Sequence, residues 1–425
     1  MGYIFYNIIL FITFPIIILF IIITRFRRLT GAVLKSIPQR LGKLPFWIGE
    51  LSNKDVVWIH CSSLGEAKLA VTLIDELKKE RSSTCFILSV ITESAFNWTK
   101  GQEKMNYIFF LPADFPFIIR HYFKAIKPKA LIILETELWP NLIKIAKEFG
   151  VKVGLVNGRL SDKNFKLLMK LRFIAKKILL NFDFLLSRSE EDSRRLIALG
   201  AAEKNISCAG NMKYDIFNLP SFSDDKLHSR FGLNSKDLIF TAGSVRRGEE
   251  QIIIGSYLAN RSVFPNLKMI IAPRHLERVE AVKRILDKHS ISYTSHSAID
   301  NASKSEGVVI LDTYGELMKA YAIADLCFIG GSLVDYGGQN IIEPAMMGKA
   351  IITGPFMSNF SESFELLKSR GSIITVLNQH ELSSAIKELL SDKGRISKLG
   401  DDAKSAVISQ KGALKRSVKE ILQYI

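Results

Sequence analysis

The chain has 425 residues, 48% of them hydrophobic and 24% charged, with a formal net charge of +16. That length and apolar content suit two globular domains with cores of their own and exclude a disordered polar chain. The four cysteines, Cys61, Cys85, Cys208 and Cys327, are widely scattered with no C-x-x-C or Cys/His ligand spacing. This excludes a disulfide framework and a structural zinc, and it suits a reducing compartment.

No residue from Gly2 to Thr24 is charged, and the run YIFYNIILFITFPIIILFIII is long enough to cross a bilayer, with Pro15 as a tolerated kink. Residues 1–24 are therefore expected to form a membrane-anchor helix. A cleavable signal would need basic residues before the run and a small-residue cleavage site after it, and neither is present. Residues 25–49 form a basic juxtamembrane segment, with Arg25, Arg27, Arg28, Lys35, Arg40 and Lys43 and no acid before Glu50. The positive-inside rule then puts everything downstream on the cytoplasmic face of the inner membrane. An anionic membrane surface is the expected partner for the excess charge. Nucleic acid is not, because no helix-turn-helix, RNP-type or zinc-finger signature is present.

From Val56 onward, apolar runs of strand length alternate with helical patterns: VVWIHC, CFILSV, YIFFL, ALIILE and VKVGLV, the last followed by a long helix reaching Leu180. Such alternation predicts an α/β fold, a doubly wound parallel sheet with ligands at the carboxyl ends of its strands. Within that helix, Lys163 to Lys177 holds six basic and no acidic residues, opposite Leu167, Leu168, Leu171 and Ile174. It reads equally as a solvated face or as a face for lipid headgroups. Gly210 to Ser235 loses all periodicity and contains Pro220, so residues 213–236 are expected to link residues 50–212 to a second domain over 237–425. There LIFTAG, KMIIAP, VVIL, LCFIG, AIIT and SIITV repeat the alternation, so two Rossmann-like domains facing a cleft are expected.

Chemistry-bearing residues cluster where these strands end. Ser63-x-x-Glu66 after the first strand is both a capping box and a carboxylate placed as a general base. Glu135 and Glu137 alternate at the end of the fourth strand, so one of them can face a ligand. In the second half, Ser244, Arg246 and Arg247 follow LIFTAG, Arg274 and His275 follow KMIIAP, and Lys213 lies in the linker. Arginine forks and hydroxyls in such places hold phosphates or base edges. Phe328 to Gly354, FIGGSLVDYGGQNIIEPAMMGKAIITG, reads as a nucleotide-sugar site. Gly331 and Ser332 offer backbone donors to a phosphate, a helix opens at Gln339 or Asn340, and Glu343 on its first turn can take a ribose hydroxyl. No D-x-D or H-E-x-x-H motif occurs, so neither a metal nor a cofactor is expected, and a nucleoside-monophosphate sugar is the favoured donor.

These motifs together resemble the 3-deoxy-D-manno-octulosonic acid (Kdo) transferases of lipopolysaccharide synthesis, a GT-B glycosyltransferase family. The resemblance covers nearly the whole chain: the apolar N-terminus, R-x-G-x-x-P at Arg40 to Pro45, S-x-G-E at Ser63 to Glu66, ETELWPNL at Glu135 to Leu142, N-x-R-L-S at Asn157 to Ser161, GNMKYD at Gly210 to Asp215, G-E-E at Gly248 to Glu250, APRHLER at Ala272 to Arg278, and GGSLV with GGQN-x-x-E at Gly330 to Glu343. It implies an inverting enzyme with CMP-Kdo as donor, a lipid A precursor (lipid IVA) as acceptor, an acceptor-binding first domain and a donor-binding second one. Glu66 matches the family's general base, and the ETELWP segment matches a second acidic element. Arg274, Ser332, Asn340 and Glu343 match CMP-binding positions, with Lys213 and Ser244 near the donor's phosphate or carboxylate. The chain has SVITESAFNW where many relatives carry a T-x-T-P-T-G-like turn. Another GT-B nucleotide-sugar transferase, an epimerase of the same fold and a non-catalytic anionic-lipid tether are the competing readings.

Overall fold

The computed structural model describes residues 3–13, 31–102, 105–216, 227–299, 305 and 307–425. The chain divides into two compact units, one of residues 1–216 with 411–425 and the other of 217–410. Each holds one parallel seven-stranded sheet.

In the first unit the strands are β1 (Val56–His60), β2 (Cys85–Val90), β3 (Ile108–Phe110), β4 (Ala130–Leu134), β5 (Lys152–Gly158), β6 (Phe184–Ser187) and β7 (Ile206–Cys208), in the order β3-β2-β1-β4-β5-β6-β7. Because successive side chains leave a strand on opposite faces, VVWIHC feeds two cores. Val56 and Trp58 join the layer of Phe109, Tyr122 and Phe123, whereas Val57, Ile59 and Cys61 join Leu69, Leu73, Ile74 and Leu77. This is why the run is apolar at consecutive positions.

The second unit repeats the plan with β8 (Leu238–Val245), β9 (Leu267–Pro273), β10 (Tyr293–Ser295), β11 (Val308–Ile310), β12 (Leu326–Ile329), β13 (Ala350–Thr353) and β14 (Ile373–Thr375), ordered β10-β11-β9-β8-β12-β13-β14. In both sheets the chain starts near the centre, winds to one edge, and then returns to wind to the other. The reversals fall between β1 and β4 in the first unit and between β8 and β12 in the second. Such reversals open the crevice in which doubly wound sheets bind ligands.

Four expectations change. The second domain does not keep residues 411–425: the helix Ala413–Ile421 places Ala413, Val418 and Ile421 in the first unit's core. The Asp215 carboxylate accepts from Gly412 N (2.7 Å) and Leu414 N (2.8 Å), so it caps this helix, and it lies with Lys213 in the first unit rather than in a linker. The long helix to Leu180 is two helices, Asp162–Lys170 and Arg172–Leu179, which meet at Leu171. Finally, among the described residues no helix is long and apolar enough to cross a membrane. Residues 3–13 of the expected anchor are helical, with Tyr6 Oη donating to Asp114 Oδ2 (2.9 Å) and Asn7 paired with Asn141. Residues 14–24, and 25–30 of the basic segment, lie outside the described residues.

Candidate active site

In the first unit, the residues expected to act converge on the crevice between β1 and β4. Ser63 caps the helix Leu64–Glu80 and shares a reciprocal box with Glu66. Glu66 N donates to Ser63 Oγ (3.4 Å), Ser63 Oγ donates to Glu66 Oε1 (2.8 Å), and Ser62 N donates to Glu66 Oε2 (2.7 Å). The carboxylate is thus a helix cap, mostly buried, with one hydrogen bond on each oxygen. A carboxylate oxygen has two lone-pair sites, so the cap fixes the group's direction and leaves acceptor capacity.

Glu137 lies beside it. Burial and then the charge of Glu66 push the Glu137 carboxyl above its ordinary range, while hydrogen bonds from Ser62 and Trp139 pull it down. Ser62 thus holds Glu66 through its backbone N–H, with Glu137 near enough to feel that charge. Burial and then the charges of Glu66, Glu137 and Glu135 also raise the Cys61 thiol, which follows β1.

Glu135 has φ +56°, Asn157 φ +57° and Ser244 φ +55°, a left-handed conformation that ordinary residues adopt at a cost. Asn157 and Ser244 sit where the strand register slips, between Leu155 and Gly158 and between Ala242 and Val245. Such bulges re-aim side chains at strand ends. Asn157 is buried, and its Oδ1 accepts Met212 N (3.0 Å), which fixes the loop that carries Lys213. Lys213 Nζ stands 2.9 Å from Glu135 Oε1. The expectation that Lys213 serves a donor phosphate therefore meets a different arrangement, an ion pair within the first unit.

The second unit's cluster surrounds the crevice between β8 and β12, and here the glycine turn differs most from expectation. Glu249 is fully buried. Its Oε2 accepts Gly331 N (2.6 Å) and Arg246 N (2.9 Å), and its Oε1 accepts Ser332 N and Leu333 N (2.9 Å each). Burial raises this carboxyl, and the four N–H groups pull it back. The backbone donors assigned to a phosphate are thus already filled by the protein's own anion. Ser332 is also buried, its Oγ donating to Ile329 O and accepting Gly354 N, so its side chain holds the turn together. Gly330 is needed because a Cβ there would overlap the Ser244 carbonyl.

The helix expected to open at Gln339 or Asn340 is a five-residue turn, Ile342–Met346. Asn340 Oδ1 accepts Ile342 N, and its Nδ2 donates to Glu343 Oε1, each at 3.0 Å. Asn340 and Glu343 are brought together, but as a local cap. Arg274 and His275 end β9 exposed, and Arg246 Nη1 reaches His275 Nε2 at 2.7 Å. Among the described residues no group of three His, Cys, Asp or Glu side chains is gathered as a metal ion requires.

The sequence reading missed the roles of Ser62, Asn157 and Glu249. Ser62 and Asn157 stand at or just past a strand's carboxyl end, whereas Glu249 stands four residues beyond β8, where the next helix begins.

Residues 35–216 match the model of the 3-deoxy-D-manno-octulosonic-acid transferase (kdotransferase) family. The chain is 34% identical over 355 residues to a bifunctional glycosyltransferase/methyltransferase of Fusobacterium nucleatum, covering 81% of this chain and 54% of that protein, so it spans about half of that relative's length. It is 30% identical over 349 residues to a probable mitochondrial 3-deoxy-D-manno-octulosonic acid transferase of Arabidopsis thaliana, covering 79% and 77% of the two chains. Among solved structures it resembles a glycosyltransferase from Rickettsia africae (TM-score 0.57, 15% identity, 88% and 98% covered) and a UDP-GlcNAc 2-epimerase from Neisseria meningitidis (TM-score 0.60, 13% identity, 87% and 100% covered). Identities this low speak to the fold alone, which is of the GT-B class. The family match over residues 35–216 and the relative matched over 77% of its length give one conclusion: the chain belongs to the 3-deoxy-D-manno-octulosonic acid transferase family.

Proposed function

We propose that the protein transfers Kdo from CMP-Kdo to a hydroxyl of a lipid A precursor, with inversion at the anomeric carbon. Glu66 accepts the hydroxyl proton as the new C–O bond forms, while the bond to CMP breaks and its electrons leave on the phosphate. The cap orients Glu66, and the neighbouring Glu137 sets the local charge. Inversion needs one base and no protein nucleophile. The observation that carries this reading is the Glu66 carboxylate, held by Ser62 and Ser63 beside Glu137 at the sheet's reversal point, in a chain of this family.

The acceptor is a phosphorylated lipid, and we place the protein at the cytoplasmic face of the inner membrane. Exposed Ile4, Phe5, Ile8 and Ile12 on residues 3–13 support this, as do exposed Leu167, Leu171 and Phe173 next to Lys163, Lys166, Lys170 and Arg172. An apolar strip flanked by lysines suits an anionic interface. The test is mass spectrometry of the product from CMP-Kdo and tetraacyl lipid A precursor, with and without chelator. Product in both conditions supports the reading. No product from pure protein, or an epimerised sugar formed without acceptor, contradicts it.

A further inference from the structure

The Arg246 side chain is the part of the second unit that the site described above leaves unused. Its Nη1–H donates to His275 Nε2 (2.7 Å), which requires that nitrogen to be unprotonated. Its guanidinium lies over the Tyr336 ring, 5.1 Å from the centroid. Nε is buried with no hydrogen-bond partner among the described residues. The carboxylates nearest in sequence are committed elsewhere. Glu249 holds four backbone N–H groups, and Glu250 accepts from Arg278 and from Gly248 N. The result is an arginine fixed on two sides at the β8–β12 crevice, its Nε edge without an anion.

We propose that Arg246, oriented by His275, is the ligand for the phosphate of a bound nucleoside monophosphate. In many nucleotide sites the glycine-turn amides take this charge. Here Glu249 fills those amides, so a second anion must be met by a side chain. With Nη1 on His275, Nε–H and Nη2–H form the edge that donates to two oxygens of one phosphate side by side. Arg246 acts as a binding residue, and His275 and Glu249 act as positioning residues.

This inference rests on the proposed nucleotide-sugar function, and the test separates the two. Calorimetric titration of the full-length protein compares CMP, UMP, cytidine and free Kdo on wild type, Arg246→Ala and Arg246→Lys, with melting curves to confirm folding. The expected result is CMP binding on the order of 10- to 100-fold weaker in Arg246→Ala, partial recovery in Arg246→Lys, and unchanged cytidine and Kdo affinity. Equal CMP affinity in wild type and Arg246→Ala overturns the proposal, as does a loss confined to Kdo, which would assign the arginine to the sugar carboxylate. Binding of UMP in preference to CMP, with the same dependence on Arg246, keeps the phosphate ligand and contradicts CMP-Kdo as donor.

Discussion

Lys213 Nζ lies 2.9 Å from Glu135 Oε1, close enough for an ion pair though without the angle of a hydrogen bond, and the Glu135 backbone is left-handed. The lysine is about one-third exposed and the glutamate about one-fifth, so solvent screens much of the attraction. In urea unfolding, Lys213→Ala and Glu135→Ala are expected to be non-additive by roughly 0.5–1 kcal/mol. Strict additivity would show that the two side chains do not depend on one another. Both single variants are expected to slow transfer.

Asp114 makes a prediction about pH. Its carboxyl accepts Asn141 N and Leu142 N at the start of the helix Pro140–Glu148, yet burial outweighs these bonds and raises it from 3.8 to about 6. A carboxyl with a raised folded-state value binds more protons folded than unfolded. Stability is therefore greatest below about pH 4 as far as this group is concerned, and falls as pH rises through about 6. Across that window the contribution lost is on the order of 2–3 kcal/mol. Asp114→Asn should flatten this part of the stability profile, measured by urea unfolding at a series of pH values. An unchanged slope in the variant counts against the assignment.

The Glu249 lock predicts stability effects at a distance in sequence. Glu249→Gln turns an –NH2 group toward backbone N–H donors and should cost about 2–4 kcal/mol. Gly330→Ala forces a methyl into the Ser244 carbonyl and should cost about 2 kcal/mol or more. Thermal melting of both variants within 2 °C of wild type would refute the packing described for this turn.

Much of the fold could be read from apolar runs, because a parallel strand buried on both faces is apolar at nearly every position, as VVWIHC and CFILSV are. The short strands Phe184–Ser187, Ile206–Cys208 and Tyr293–Ser295 carry too few residues to signal themselves. The return of Ala413–Ile421 to the first unit depends on Asp215, about 200 positions away, which no local pattern encodes. The site shows the same division. Ser63 and Glu66 are legible as a local motif, whereas Glu249 is defined by amides some 80 residues downstream. The residues of the glycine turn mark it as an anion site. That its anion is internal depends on a tertiary contact.

Glu66 is proposed as the base, although its carboxylate also serves as a helix cap. The most direct measurement is the single-turnover rate of Kdo transfer to the lipid A precursor by Glu66→Gln, a substitution of similar shape that keeps oxygen-based capping on one side. A base role for Glu66 predicts a fall of roughly two to four orders of magnitude, with CMP-Kdo affinity and melting temperature close to wild type. Near-normal transfer, or a loss fully explained by unfolding, would contradict it and leave Glu66 as a cap alone.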